Sequence, residues 1–159
     1  MRRVPAHLFL ALIGSATLFA SEVALETKTF SLRQVAAPDA LTLLRTIFDV
    51  KQLEAIDDAT VTATAPADRL LVAAQILSLV DGPEPVTQAD TVADGSELVI
   101  AVAPLGGTSP GDAMRAMREL GVRKTVVVSV RDLVVIRDSE AQVKAELERL
   151  EDLRQPPPE

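Results

Sequence analysis

One order of predicted secondary-structure elements occurs twice along this chain of 159 residues, and the repeat narrows the folds open to it. Apolar spacing predicts strand, helix, strand, strand, helix across residues 28–81, and the same order returns across residues 98–153. The sequence therefore predicts an α+β fold of two tandem βαββα units. Each unit is expected to be a three-stranded sheet with two helices on one face.

Helix starts and hairpin turns fall at matching places in the two halves. The first helix start and the hairpin turn lie 19 residues apart in the first half, from Asp39 to Asp58. They lie 20 residues apart in the second half, from Asp112 to Asp132. The alternative is a single mixed α/β domain in which this order is coincidental.

The stretch between the halves, residues 82–97 (GPEPVTQADTVADGSE), has two prolines, two glycines, four acidic residues and no basic residue. This composition predicts an acidic linker. A proline-rich tail follows the second half at residues 154–159.

The first twenty residues have the pattern of a secretory signal peptide. Arg2 and Arg3 precede an uncharged run at residues 8–20 (LFLALIGSATLFA), with cleavage expected after Ala20. The alternative is an uncleaved membrane anchor, although a span needs about 20 apolar residues. We therefore expect a periplasmic protein.

Composition excludes several kinds of chemistry from the mature chain. The net charge of −7 becomes −9 when two arginines leave with the signal peptide, and the chain has no cysteine. The single histidine, His7, also leaves. Because catalytic triads, cysteine nucleophiles and zinc sites need these residues, we expect no enzyme activity, catalytic residue, cofactor or metal ion.

Nucleic-acid and membrane partners are also unfavoured. An acidic chain attracts few phosphates, and only Phe30 and Phe48 remain as aromatic residues, both on predicted inner faces. The last helix is expected to expose Glu146, Glu148 and Glu151 on its polar face, which anionic lipid would repel. No membrane insertion is expected after signal cleavage.

Two local patterns leave a functional alternative open. The adjacent carboxylates of Asp57 and Asp58 could bind Ca²⁺ or act in acid–base chemistry, but a hairpin turn also favours aspartate. Residues 106–111 (GGTSPG) precede a helix as a phosphate-binding loop does, but they lack its lysine and full glycine spacing. A turn and a strand-to-helix loop are the favoured interpretations.

Three stretches resemble the N-domains of bacterial secretins, the NolW-like family. Residues 30–44 (FSLRQVAAPDALTLL) are similar to the opening strand and first helix of those domains. Residues 58–66 (DATVTATAP) and 131–139 (RDLVVIRDS) resemble the hairpin strand that leads into their second helix. No β-rich channel segment follows the second unit.

The resemblance implies a function in protein–protein contact. Secretin N-domains stack into periplasmic rings and bind neighbouring subunits and secretion or pilus partners, as in type II secretion. The expected partners are therefore proteins, either this chain itself or an outer-membrane secretin. The second hairpin, residues 125–136, is expected to be the interaction surface because its β-branched residues leave surplus apolar area. The alternative is a soluble periplasmic ligand-binding protein or an enzyme of unknown chemistry.

Overall fold

A computed structural model describes residues 23–122 and 124–154; the predicted signal peptide and the tail beyond residue 154 lie outside these ranges. The first half contains β1 (Leu25–Ser31), α1 (Ala37–Phe48), β2 (Gln52–Asp57), β3 (Thr60–Pro66) and α2 (Ala67–Val80). The second half contains β4 (Asp90–Ala93), β5 (Leu98–Pro104), α3 (Pro110–Glu119), β6 (Lys124–Val128), β7 (Leu133–Ser139) and α4 (Glu140–Arg154). The predicted α+β fold with two tandem βαββα-type units is confirmed.

The strands form two antiparallel sheets. The first sheet has the order β1-β3-β2, and the second sheet has the order β4-β5-β7-β6. The second sheet thus has four strands rather than the three expected, because β4 adds to the free edge of β5.

β4 lies inside the stretch that was predicted to be a linker. Its Val92 is buried and pairs with Ile100 of β5, and this burial holds the four residues in the sheet. The strand is short and begins at an aspartate, so its pattern is hidden among the turn residues around it. The prediction of a linker across residues 82–97 is corrected at Asp90–Ala93.

Four layers follow one another through the molecule. Helices α1 and α2 pack against the first sheet, and their other side packs against the second sheet in one continuous core. Helices α3 and α4 cover the opposite face of the second sheet with a separate core. Along β5, Ile100 and Val102 point toward α1 and α2, whereas Ala101 and Ala103 point toward α3 and α4.

The turn of the second hairpin is longer than expected. A short 3₁₀ turn at Ser129–Arg131 and Asp132 together connect β6 to β7, where a two-residue turn had been predicted. Asp132 adopts a left-handed φ of 53°, which aspartate tolerates better than most residues. The turn redirects Arg131 toward the first unit.

Arg131 caps the C-terminal end of α2 from the opposite unit. Its Nε donates to the carbonyl of Val80 (3.0 Å), and its Nη2 donates to the carbonyls of Gly82 (2.7 Å) and Glu84 (3.0 Å). A cation is favourable here because the last carbonyls of a helix lack partners and carry partial negative charge.

Arg137 caps α1 in a similar way. Its Nη1 donates to the carbonyl of Ile47 (3.0 Å), and its Nη2 contacts the carboxylate of Asp94 (2.6 Å). Burial opposes ionisation of Asp94, but hydrogen bonds from Ser96 and Arg137 outweigh it and lower the pKa of Asp94 below its usual 3.8. The ends of both central helices are therefore stabilised by arginines of β7 and its turn.

Replacing Arg131 tests this capping. We expect Arg131→Ala to lower the free energy of unfolding by about 2 kcal/mol, because three carbonyls lose a charged donor. Urea denaturation measures the change. Arg115→Ala is the matched control: Arg115 is 71% exposed and pairs only with Asp112 on its own helix, so its loss should change stability by less than about 0.5 kcal/mol. Equal effects of the two variants would contradict the capping role.

Candidate interaction surfaces

The two adjacent aspartates form part of a hairpin turn. The carboxylate of Asp57 accepts the N–H of Ala59 at 2.8 Å. The carbonyl of Asp58 accepts the N–H of Ala37 at 3.0 Å, which ties the turn to the start of α1. This arrangement fits the turn interpretation.

The loop at residues 106–111 is filled by groups of the chain itself. The guanidinium of Arg154 lies against this loop, where Nε donates to the carbonyl of Leu105 at 3.2 Å. A Cβ at Gly106 would come within 2.7 Å of that Nε, and Gly106 has a left-handed φ of 60°. At the start of α3, the hydroxyl of Ser109 accepts the N–H of Asp112 at 3.1 Å. These contacts make the loop a strand-to-helix connection with an N-cap.

The second hairpin is not the open surface that its sequence predicts. Val126, Val128, Leu133 and Val135 belong to the core shared with α1 and α2. The side chains that alternate with them on β7 belong to the core under α3 and α4. The expectation of an exposed apolar hairpin is therefore wrong, because the first unit covers the face that two helices alone would leave open.

A lysine scan of this hairpin separates burial from exposure. Val128 is 1% exposed, so Val128→Lys would bury an ammonium group between β6 and α1, and we expect loss of the folded protein. Val130 is 59% exposed, and Val130→Lys should change stability by less than about 0.5 kcal/mol. Thermal unfolding followed by circular dichroism checks both. A stable, folded Val128→Lys protein would show that the units do not pack in this way.

Glu146 lies inside the second unit rather than on the exposed face of α4. It is 0% exposed, and neither carboxylate oxygen has a hydrogen-bond partner of normal geometry. Burial raises the pKa of Glu146 to about 7, and the charge of Asp138 on β7 raises it further. Gln142 opposes the shift only weakly, since its amide donates to the carbonyl of Leu120 (3.0 Å).

The sequence carried a signal for this burial. Glu146 stands three residues after Val143 and four before Leu150, the spacing of the buried stripe of α4. The predicted polar face of α4 is thus corrected at Glu146, whereas Glu148 and Glu151 are exposed as expected.

Glu146 should make the folded state less stable as the pH rises. Its pKa is higher in the folded state than the usual 4.5, so the folded state holds a proton that the unfolded state releases between about pH 4.5 and 7. We expect wild type to lose up to about 3 kcal/mol relative to Glu146→Gln between pH 4.5 and 8. Urea denaturation at both pH values measures this difference. Glu148→Gln, at an exposed position, should follow wild type; a pH-independent gap between wild type and Glu146→Gln would refute the shift.

The outer face of the first sheet is open and rich in hydroxyl groups. Register places three Thr and Ser pairs of β1 and β3 side by side on this face: Thr27 with Thr64, Thr29 with Thr62 and Ser31 with Thr60. The Thr27 and Thr64 hydroxyls are hydrogen-bonded at 2.7 Å. Because threonine favours strands and stays hydrated, this face needs no covering layer.

β1 presents the most regular free edge of the two sheets. Leu32 continues the β1–β3 ladder by donating its N–H to Ala59 at 2.7 Å. Since backbone groups alternate along a strand, even-numbered residues of β1 face β3. The N–H and C=O groups of Leu25, Thr27 and Thr29 therefore point to the open edge.

The other three edge strands are less suited to pairing. β2 has a register shift between Ala55 and Asp57, and such a bulge interrupts an edge. β4 has four residues. β6 has five, and its Lys124 is bound to Asp49 of the first unit. β1, by contrast, has seven residues in unbroken register with β3.

Grooves and ion-binding clusters were sought across the same residues. A shallow groove of about 580 Å³ is lined by the end of α2 and by residues 82–90. Within residues 23–122 and 124–154, no three histidine, cysteine, aspartate or glutamate residues are placed to hold a metal ion. No helix in the described part of the chain has the length and apolar character to cross a membrane.

Comparisons with known proteins give two solved structures of a secretin. No protein-family model matches the chain, and no curated protein matches it. The chain is similar to a structure of XcpQN012 (15% identity, TM-score 0.35, covering 82% of this chain and 61% of that one). It is also similar to a dimeric cysteine mutant of the N-terminal domain of the secretin XcpQ from Pseudomonas aeruginosa (15% identity, TM-score 0.35, covering 83% and 60%).

The chain spans about three-fifths of the length of these secretin structures. They are N-terminal domains of the kind that the sequence resembles. A similarity of this size leaves function to be argued from the residues of the chain itself.

Proposed function

We propose that this chain is an exported protein-interaction module of the secretin N-domain, NolW-like type. It acts by self-association or by docking onto an outer-membrane secretin, within a secretion or pilus assembly of the cell envelope. It works in the periplasm, without a catalytic residue, cofactor or metal ion.

The free edge of β1 is the observation that carries this proposal. A regular edge strand offers a row of unpaired N–H and C=O groups, which natural proteins cover unless the edge serves pairing. β1 keeps seven such residues uncovered, while the apolar hairpin of the second unit is buried inside the molecule. Protein contact is therefore assigned to the first sheet rather than to residues 125–136.

The signal-like segment at residues 1–20 supports an envelope location. The chain has no cysteine, so its stability outside the cytoplasm depends on packing alone. The shared four-layer core supplies that packing.

Affinity purification from the native envelope tests the proposal. The chain, tagged at its C-terminus and carrying its own N-terminal segment, is expressed in the bacterium that encodes it, and co-purifying proteins are identified by mass spectrometry. We expect an outer-membrane channel protein or a pilus component. Thr29→Pro should reduce recovery, because proline removes an N–H that points to the open edge and no bond to β3.

Arg115→Ala, on the exposed side of α3, is the control that should keep full recovery. Isolation of a monomer without partners would contradict the assembly role. A small molecule retained in the groove at residues 78–90 would then favour a periplasmic ligand-binding protein.

A further inference from the structure

The two charged residues of β1 lie on the same face and close to its free edge. Glu26 and Lys28 pair with Ala65 and Ala63 of β3, on the side of the sheet that α1 and α2 cover. Both side chains are nevertheless exposed, and the Lys28 ammonium lies 5.7 Å from the centre of the Phe30 ring. Charges placed so near an edge discourage most strands from pairing with it and favour one whose charges are complementary.

We propose that the partner of this edge is a second copy of the chain. Two β1 strands pair antiparallel with Thr27 opposite Thr27 at a two-fold axis, and the two first sheets become one six-stranded sheet. This names the partner within the proposed interaction function and rests on it.

Charge selects this register. With Thr27 on the axis, Glu26 of each copy lies opposite Lys28 of the other, so two opposite-charge pairs form. Moving one strand by two residues in one direction places Lys28 opposite Lys28. Moving it in the other direction places Glu26 opposite Glu26. Both alternatives bring like charges together.

Backbone geometry allows the same register. Leu25, Thr27 and Thr29 point their N–H and C=O groups to the open edge, and this register pairs Thr27 with Thr27 and Leu25 with Thr29. These pairs supply about six inter-strand hydrogen bonds. The edges therefore match without any change in β1.

Apolar contacts fit the same arrangement. Leu25 is 57% exposed, and it would pack beside Thr29 of the second copy. A groove of about 230 Å³ beside the C-terminal half of β1 is lined by residues that include Phe30, Ala74 and Leu77. The register places Ala24 of the second copy opposite Phe30, at this groove.

Charge exchange between copies tests the proposal. The chain is expressed with its own N-terminal segment and purified from the soluble envelope fraction, and its mass is followed by analytical ultracentrifugation over a range of concentrations. We expect a dimer. Glu26→Lys and Lys28→Glu, each alone, should raise the dimer dissociation constant about 10-fold or more, because like charges then oppose each other twice.

Mixing the two single variants should restore dimer formation, because every cross-strand pair in the mixed dimer is again of opposite charge. The double variant Glu26→Lys/Lys28→Glu should also dimerise like wild type. A monomeric wild type would overturn the proposal. A dimer that is indifferent to these exchanges would overturn the β1 register.

Disulfide trapping gives a second readout that does not depend on the charges. The chain has no cysteine, so Thr27→Cys introduces a single thiol at the axis. Opposed residues of an antiparallel hydrogen-bonded pair have Cα atoms about 5.5 Å apart, within reach of a disulfide. Thr62→Cys, on the same face of the central strand β3, is the control and should not cross-link. Equal cross-linking of both variants, or none of either, would refute the pairing.

The outcomes separate this inference from the function on which it rests. A wild-type monomer that still co-purifies with an envelope channel would remove the β1 dimer and leave the interaction function standing. A charge-dependent dimer without envelope partners would keep the dimer and remove the assembly role.

Discussion

The second sheet determines the architecture, because both of its faces are apolar. Val135 on one side of β7 and Val134 on the other are both fully buried. Two helices of one small unit cover only one such face, so the other must be covered by something else. Here α1 and α2 do this while also covering the first sheet, and the core that they share joins two units that would be marginal alone.

Placing helices between two sheets creates a polar problem at their ends. The last carbonyls of α1 and α2 need donors, and solvent reaches them poorly once both flanks are covered. Arg131 and Arg137 meet this need from the second unit. In the other direction, Asp81 after α2 accepts N–H groups from three consecutive residues of the loop after β1, at 2.7–2.9 Å. The junction is thus defined by directional polar contacts as well as by apolar packing.

Sequence patterns predicted the elements better than their surroundings. The helix starts and the repeat of βαββα order follow from local periodicity, which neighbouring residues alone determine. β4 was missed because its four residues gain stability only from pairing with β5. The hairpin at residues 125–136 was recognised as apolar, but local pattern cannot tell whether the first unit or another protein covers such a face. Glu146 had helical core spacing, yet its residue type outweighed that spacing in the prediction.

The distribution of apolar residues favours contact through a strand edge over contact through a broad face. Described residues of both hairpin strands in the second unit are largely committed to the two cores, and the outer face of the first sheet carries threonines. Edge pairing uses backbone groups for affinity and needs few apolar side chains. Specificity must then come from the side chains beside the edge, and on β1 these include one acid and one base, two residues apart. In antiparallel pairing, that spacing makes the strand complementary to itself.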